Sequence, residues 1–198
     1  MKNSVAKAIE ESIATKQALL QDKAVQELIL QAATIMIESL KNGGKIMISG
    51  NGGSAADAQH MAGEFVNRFN FDRPPLPGIA LSTDTSVITA ISNDYEYNLI
   101  FAKQVEALGR AGDVFVGIST SGNAPNIINA LKTCTEKKIK TIGLTGRTGG
   151  EMVALCDCCL CVPSNRTPVV QESHIMIEHI ICGLVEDAMY PDHEHRNV

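Results

Sequence analysis

The sequence predicts an α/β protein: a three-layer α/β/α sandwich around a five-stranded parallel sheet, with additional N-terminal helices. Three observations predict it. Five apolar runs, "KIMIS" (45–49), "GIALS" (78–82), "DVFVGIS" (113–119), "KTIGLT" (140–145) and "CLCVP" (159–163), are short and not amphipathic. That pattern suits strands buried on both faces. Helical segments lie between them, at roughly 54–69, 86–92, 96–109, 125–137 and 150–155. Strand–helix alternation builds a parallel sheet covered by helices. The chain has 198 residues and is 44% hydrophobic, enough for one domain with a proper core.

Residues 1 to about 41 read as helix, the two-helix addition to the sandwich. Val25, Leu28, Ile29, Ala32, Ile35 and Met36 recur at helical spacing, and "NGG" at 42–44 is a stop signal. A last helix spans about 169–187. The apolar stripe on 25–36 and this last helix exceed what one sheet face needs, which predicts contacts between subunits. The chain divides into a helical region (1–44), an α/β core (45–190) and a polar tail (191–198), with no linker or second domain.

A net charge of −5 leaves no basic footprint for nucleic acid. No apolar run approaches the ~18 residues of a membrane span. The N-terminus "MKNSVAKAIEESIATK" lacks the apolar core of a signal peptide. The expectation is a soluble cytoplasmic protein. Four of six cysteines crowd into "CDCCLC" (Cys156, Cys158, Cys159, Cys161), two overlapping C-x-x-C spacings. Such spacing raises metal or redox chemistry. A short apolar strand explains it better, with cysteine as a small hydrophobe and alternation pointing the pairs to opposite faces. His193 and His195 in the tail "DHEHRNV" read as solvated, with incidental metal capture the alternative.

The chemistry-bearing stretches follow strands. "ISGNGGSA" follows the first and "ISTSGNAP" the third, each a small polar loop opening a helix. Ligands of open parallel sheets bind beyond the carboxyl ends of the strands, so both loops can face one site. In "STSGN" (Ser119, Thr120, Ser121, Gly122, Asn123), hydroxyls precede a helix starting near Pro125. Free N–H groups and the helix dipole attract an anion there. With no P-loop lysine, a sugar phosphate fits better than a nucleoside triphosphate. The alternative is an ordinary turn with an N-cap serine. In the first loop, Asn51, Gly52 and Gly53 let backbone approach a ligand. Ser54 is the expected N-cap, with Asp57 as a loose capping partner. His60 and Glu64 then share a helix face, ~6 Å apart along the axis. The alternative for that pair is a solvated helix face.

The last helix carries "QESHIMIEH". Gln171, His174 and Glu178 share a face at steps of three and four. His179 lies about 80° off Gln171 and ~12 Å along the axis. Spacing alone nominates His174 and Glu178. Gln171 and His179 meet one ion only if side chains converge, the helix bends or starts late, or different subunits supply them. Polar residues at a surface or interface are the alternative. Asn93 and Asp94 in "ISNDYEY" are explained by turn chemistry unless the fold brings them to the same rim.

With these residues in view, the chain resembles the sugar isomerase (SIS) domain family, and within it the phosphoheptose isomerases. The resemblance runs through "GNGGSAADAQHMAGEF", "LSTDTSVITAISNDY", "FAKQVEALGRAGDVFVGISTSGN", "LTGRTGGEM" and "VQESHIMIEHIICGLVED", in that order, over nearly the whole chain. It implies a homotetramer that converts sedoheptulose 7-phosphate to D-glycero-D-manno-heptose 7-phosphate, an early step of bacterial heptose biosynthesis. It implies substrate contacts at Asn51, Gly52, Gly53, Glu64, Asn93, Asp94, Ser119, Thr120, Ser121 and Gln171, the serine loop gripping phosphate. It implies one zinc ion per subunit on His60, Glu64, Gln171 and His179, with Glu64 and His179 transferring the proton. This set replaces the one that spacing favours. Ala124 stands where family members often have serine, and Val169 where many have arginine. The chain also resembles the replication-initiator-binding branch of the family, through "SAADAQH", "NRF" and "YPDHEH", a branch without the counterparts of Glu64 and His179. A sugar-phosphate-sensing regulator is the third reading.

Overall fold

The computed structural model describes residues 2–192. His193 and His195, with the metal-capture reading of the tail, lie outside the described residues. The chain runs α1 (Lys2–Gln21), α2 (Lys23–Lys41), β1 (Ile46–Gly50), α3 (Gly53–Val66), β2 (Gly78–Ala80), α4 (Thr85–Asp94), a 3₁₀ turn (Tyr97–Leu99), α5 (Ile100–Leu108), β3 (Val114–Ser119), α6 (Pro125–Lys137), β4 (Lys140–Thr145), α7 (Met152–Leu155), β5 (Cys158–Cys161) and α8 (Thr167–Met189). The five strands form one sheet in the order β2-β1-β3-β4-β5, every pair parallel.

The apolar runs become strands because both faces of the sheet are covered. Every residue of β1 and β3 is buried. Ile46 and Ile48 pack with Val116, Ile142 and Leu160 under α2, α3 and α8. Met47 and Phe115 point the other way, against Phe101, Val105, Ile127 and Leu131 of α5 and α6. This alternation of side chains makes three layers from short continuous apolar runs.

The structure refines several element boundaries. Helix 1–41 is broken at Asp22, whose side chain accepts from Ala24 N (3.0 Å) and Val25 N (3.2 Å) and so caps α2. The 150–155 helix is the single turn α7, because Gly149 (φ +68) and Gly150 (φ +56) hold the chain in left-handed backbone before it. The last strand sits at Cys158–Cys161, not 159–163. A further correction concerns the apolar stripe on 25–36, which is not surplus. The α2 stripe (Val25, Ile29, Ala32, Met36) is consumed inside the chain. The exposed apolar stripe is on α1: Val5, Ile9, Ile13 and Leu20. Helix α1 is tied to α8 and the loop before it by the Lys16–Glu172 (3.3 Å) and Arg166–Glu11 ion pairs.

The topology positions the site. From β1 the chain steps outward to β2, then returns past β1 to β3 and continues the other way. The order therefore switches between β1 and β3, where loops leaving the two strands open a crevice. The glycine loop and the serine loop flank that crevice.

Candidate active site

The glycine loop turns on Gly52, whose φ of +57 is backbone that L side chains rarely adopt. Gly52 is the N-cap of α3, and it has no side chain with which to cap. Ser54, expected as the cap, is instead inside the helix and buried. A Cβ on Gly53 would stand 2.5 Å from Gln171 Nε2, so α8 places its Gln171 amide directly on the loop. Asn51 is held by a reciprocal amide pair with the buried Asn126, Nδ2 to Oδ1 at 2.9 and 2.8 Å. Asn126 lies in the first turn of α6, so this pair clasps the two loops across the crevice. Tyr97 Oη donates to Asn51 Oδ1 at 3.0 Å, closing the same cluster from the 3₁₀ turn.

On the serine loop, Ser119 is buried and its Oγ lies 3.4 Å from Ser121 Oγ. Asn123 N donates to Ser121 Oγ at 3.2 Å, and Ser121 is exposed. The loop is braced from behind. Gly146 N donates to Thr120 O at 3.0 Å, and a Cβ on Gly122 (φ +67) would sit 2.0 Å from Gly149 O. Hydroxyls and free N–H groups at the start of a helix can take an anion. Ala124, the N-cap of α6, supplies no side-chain bond to the start of the helix.

Two helices bring the metal-type residues together. His60 and Glu64, one turn apart on α3, meet at 3.2 Å (Nε2 to Oε1). From α8, His179 presents Nε2 at 2.8 Å from His60 Nε2, the rings edge to face with centroids 5.0 Å apart. Ligand atoms of all three lie within 4.8 Å of one another. In an ion-free state, one imidazole donates and the other accepts. Two nitrogens on one tetrahedral zinc at ~2.0 Å stand ~3.3 Å apart, so the pair needs to open by only about half an ångström. The N,N,O donor set suits a divalent transition metal. Gln171 lies two turns nearer the start of α8, its amide against Gly53.

His174 and Glu178, the pair that spacing favours, are fully buried on the inner face of α8. His174 Nε2–H donates to Thr145 O at 3.0 Å. Burial holds its pKa down at about 4, the carbonyl bond opposing. Burial, with the Asp57 carboxylate nearby, pushes Glu178 up to about 8. Among the described residues, neither Glu178 oxygen has a hydrogen-bond partner. These two residues sit behind the open cluster, not in it. Asn93 and Asp94 are exposed at the end of α4, Asn93 Nδ2 donating to Asp94 Oδ1 at 2.8 Å.

Comparison with known proteins decides the family. The SIS domain model matches residues 9–146. The chain is 58% identical over 190 residues to a phosphoheptose isomerase of Aneurinibacillus thermoaerophilus, covering 96% of each chain. It is 56% identical over 180 residues to phosphoheptose isomerase 2 of Campylobacter jejuni, covering 91% of this chain and 90% of that one. The solved phosphoheptose isomerase of Neisseria gonorrhoeae superposes with a TM-score of 0.88 at 47% identity, covering 94% of this chain and 98% of that one. The chain belongs to the phosphoheptose isomerases of the SIS-domain family. It is thereby an enzyme of the aldose–ketose isomerase class.

The cysteine cluster is packed into β5 and the turn before it. All six cysteines are free. Cys158 faces α2, its Sγ donating to Leu28 O at 3.3 Å, while Cys161 points to the other face toward Thr145, as alternation requires. Cys156 precedes the strand and escapes the alternation. It turns back to meet Cys159, and this contact with burial raises the Cys159 thiol to about 12. Thiols that hold their protons so tightly are poor nucleophiles. Val169 is buried in the first turn of α8.

Asn126, Tyr97 and Phe69 are site residues that spacing did not find. Phe69 lies 5.6 Å from the His179 ring. The available signals were a polar residue in the first turn of a core-facing helix and lone aromatics in polar loops, which only become specific once the topology is known.

Proposed function

We propose that the chain interconverts sedoheptulose 7-phosphate and D-glycero-D-manno-heptose 7-phosphate in the cytoplasm, as a homotetramer with one zinc ion per subunit. The observation that carries the reading is the meeting of Glu64, His60 and His179 from two helices beside a crevice flanked by a glycine loop and a hydroxyl-rich loop. Names and high identity of relatives over nearly the full chain support it.

The reaction moves one proton between neighbouring carbons. A base takes a proton from C1 of the ketose, giving an enediolate. The proton returns at C2, the O1 hydroxyl proton passes to O2, and the carbonyl is left at C1. Glu64, a partly buried carboxylate with Oε1 3.2 Å from His60 Nε2 and an oxygen within 4.8 Å of a His179 nitrogen, is the proposed carbon base, and His179 the partner that moves the oxygen-bound proton. Zinc held by His60, Glu64, Gln171 and His179 would polarise the carbonyl and stabilise the enediolate oxygen. Ser119, Thr120 and Ser121 grip the phosphate. Asn51, Gly52, Gly53, Asn93, Asp94 and Gln171 contact the sugar. The Asn126 and Tyr97 bonds fix the direction of the Asn51 amide before substrate arrives, so less ordering remains to be done.

The test is Glu64→Gln with metal content measured alongside activity. Glutamine keeps the size and one metal-type oxygen but cannot accept the proton. Turnover is expected to fall ~100-fold or more, with metal retained in part. Near-normal turnover by a metal-replete Glu64→Gln protein would remove Glu64 from the chemistry.

A further inference from the structure

The segment between α3 and β2 is pinned by a buried ion pair, and the pinning reaches the site. Arg73 and Glu186 are each almost wholly buried. Glu186, on α8, accepts from Phe69 N (2.8 Å), Asn70 N (2.6 Å) and Arg73 Nε (2.9 Å). Arg73 Nη2 donates to the backbone carbonyl of Glu64 at 2.7 Å, and Nη1 to those of Phe65 (2.7 Å) and Pro74 (3.1 Å). The Glu64 and Phe65 carbonyls belong to the last turn of α3, where carbonyls lack partners within the helix. Arg73 thus grips the backbone of Glu64 itself. Glu186 lies seven residues beyond His179, on nearly the same face of α8 and ~10 Å along it. One guanidinium–carboxylate pair therefore ties the end of α3 that carries His60 and Glu64 to the helix that carries His179.

The pinned segment also supplies a wall. Phe69, fixed through its N–H by Glu186, lies against the His179 ring at 5.6 Å. A Cβ on Gly183, one turn after His179, would be in van der Waals contact with the Phe69 ring at 3.4 Å, so the ring packs on α8 at this turn. A pair that served stability alone needs neither the grip on the Glu64 carbonyl nor a ring seated on His179. Replacing a buried ion pair by apolar residues is often neutral or stabilising, which makes stability a weak reason for keeping one.

We infer that Arg73 and Glu186 are positioning residues: they set where Glu64 and His60 stand relative to His179, and they hold Phe69 over His179 as the wall of the site. The inference rests on the proposed role of those three residues, but its structural half can be read without turnover.

The experiment compares Arg73→Lys with the wild-type protein. Lysine keeps a cation for Glu186 and cannot reach the Glu64 and Phe65 carbonyls at the same time. Groups that orient metal ligands typically cost 10–100-fold in affinity or activity when changed. The expected result is a folded protein whose kcat falls ~10-fold or more, whose KM for the sugar phosphate stays within about twofold, and whose dissociation constant for Co²⁺ rises ~10-fold. The ¹⁵N resonances of His60 and His179 are expected to shift. Glu186→Gln, which loses the charge and leaves the Asn70 N–H opposed by an amide, is expected to move the same readouts the same way. Should neither variant fold, wild-type hydrogen exchange decides. Co²⁺ binding is expected to slow exchange at the Phe69 and Asn70 amides, because coupling between two sites is reciprocal. Folded variants with wild-type kcat, Co²⁺ affinity and histidine resonances would overturn the inference, and so would Phe69 and Asn70 exchange that ignores the metal. A wild type that turns over no ketose phosphate would refute the proposed function instead, while the histidine resonances of Arg73→Lys still answer for the positioning.

Discussion

Glu178 and His174 show what one buried residue does to the pH response of the whole chain. An exposed glutamate loses its proton near 4.5, whereas the folded chain holds that of Glu178 up to about 8. Between those values the folded state binds the extra proton, so stability falls as pH rises through the window and levels off above it. His174 has the opposite sign. Its folded pKa of about 4 lies below the ordinary 6.5, so the unfolded state binds the extra proton and stability falls as pH drops from 6.5 to 4. The two oppose each other from about 4.5 to 6.5, and from 6.5 to 8 Glu178 acts alone. Calorimetry across pH 6 to 9 is expected to show the wild-type Tm declining to about pH 8, and Glu178→Gln nearly flat over the same range and more stable at pH 8. An unchanged decline in Glu178→Gln would place the titrating group elsewhere. This burial was illegible in the sequence. Residues 174 and 178 share a helix face as well as 60 and 64 do, and spacing cannot say which face a neighbouring helix will cover.

At the scale of elements, the strands were legible because a strand covered on both sides must be largely apolar, as β1, β3 and residues 142–144 of β4 are. Two N-terminal helices were legible but the position of the break at Asp22 was not, since an aspartate marks a cap only once the chain is seen to turn. The meeting of α3 and α8 also lay beyond periodicity. It comes from the sheet order, which stacks both helices on one face. The resemblance supplied His60, Glu64 and His179 together, and spacing supplied only the first two. Gly53 is where α8 touches the glycine loop. Its backbone φ is not left-handed, so alanine is tolerated by α3, but the new Cβ would meet Gln171 Nε2 at 2.5 Å and push the amide aside. Gly53→Ala is expected to keep its Tm within a few degrees and to lose about ten- to a hundredfold in kcat/KM, the scale on which ~1 Å misplacements act. Steady-state kinetics with a melting curve checks this. Full activity would mean that Gln171 has no part in the reaction.

For the whole molecule, no helix among the described residues is long and apolar enough to cross a membrane. Exposed apolar side chains line α1 and a groove of about 590 Å³ where α1, α2 and α8 meet, bordered by Leu19, Leu20, Ile29, Leu30, Ile180 and Leu184. Exposed stripes of this kind mark contact surfaces. In the homotetramer proposed here, α1 and this groove meet neighbouring copies, so Ile9→Asp with Ile13→Asp is expected to shift light-scattering mass from tetramer toward smaller species. A wild type that is monomeric and fully active would end that part of the account. The central claim is the isomerisation itself, and one measurement reaches it directly. Folded, zinc-loaded wild type is incubated with sedoheptulose 7-phosphate in D₂O and followed by NMR. The expected product is D-glycero-D-manno-heptose 7-phosphate carrying solvent deuterium at C2, in full or in part. No product from that substrate, with the protein folded and the metal bound, would contradict it.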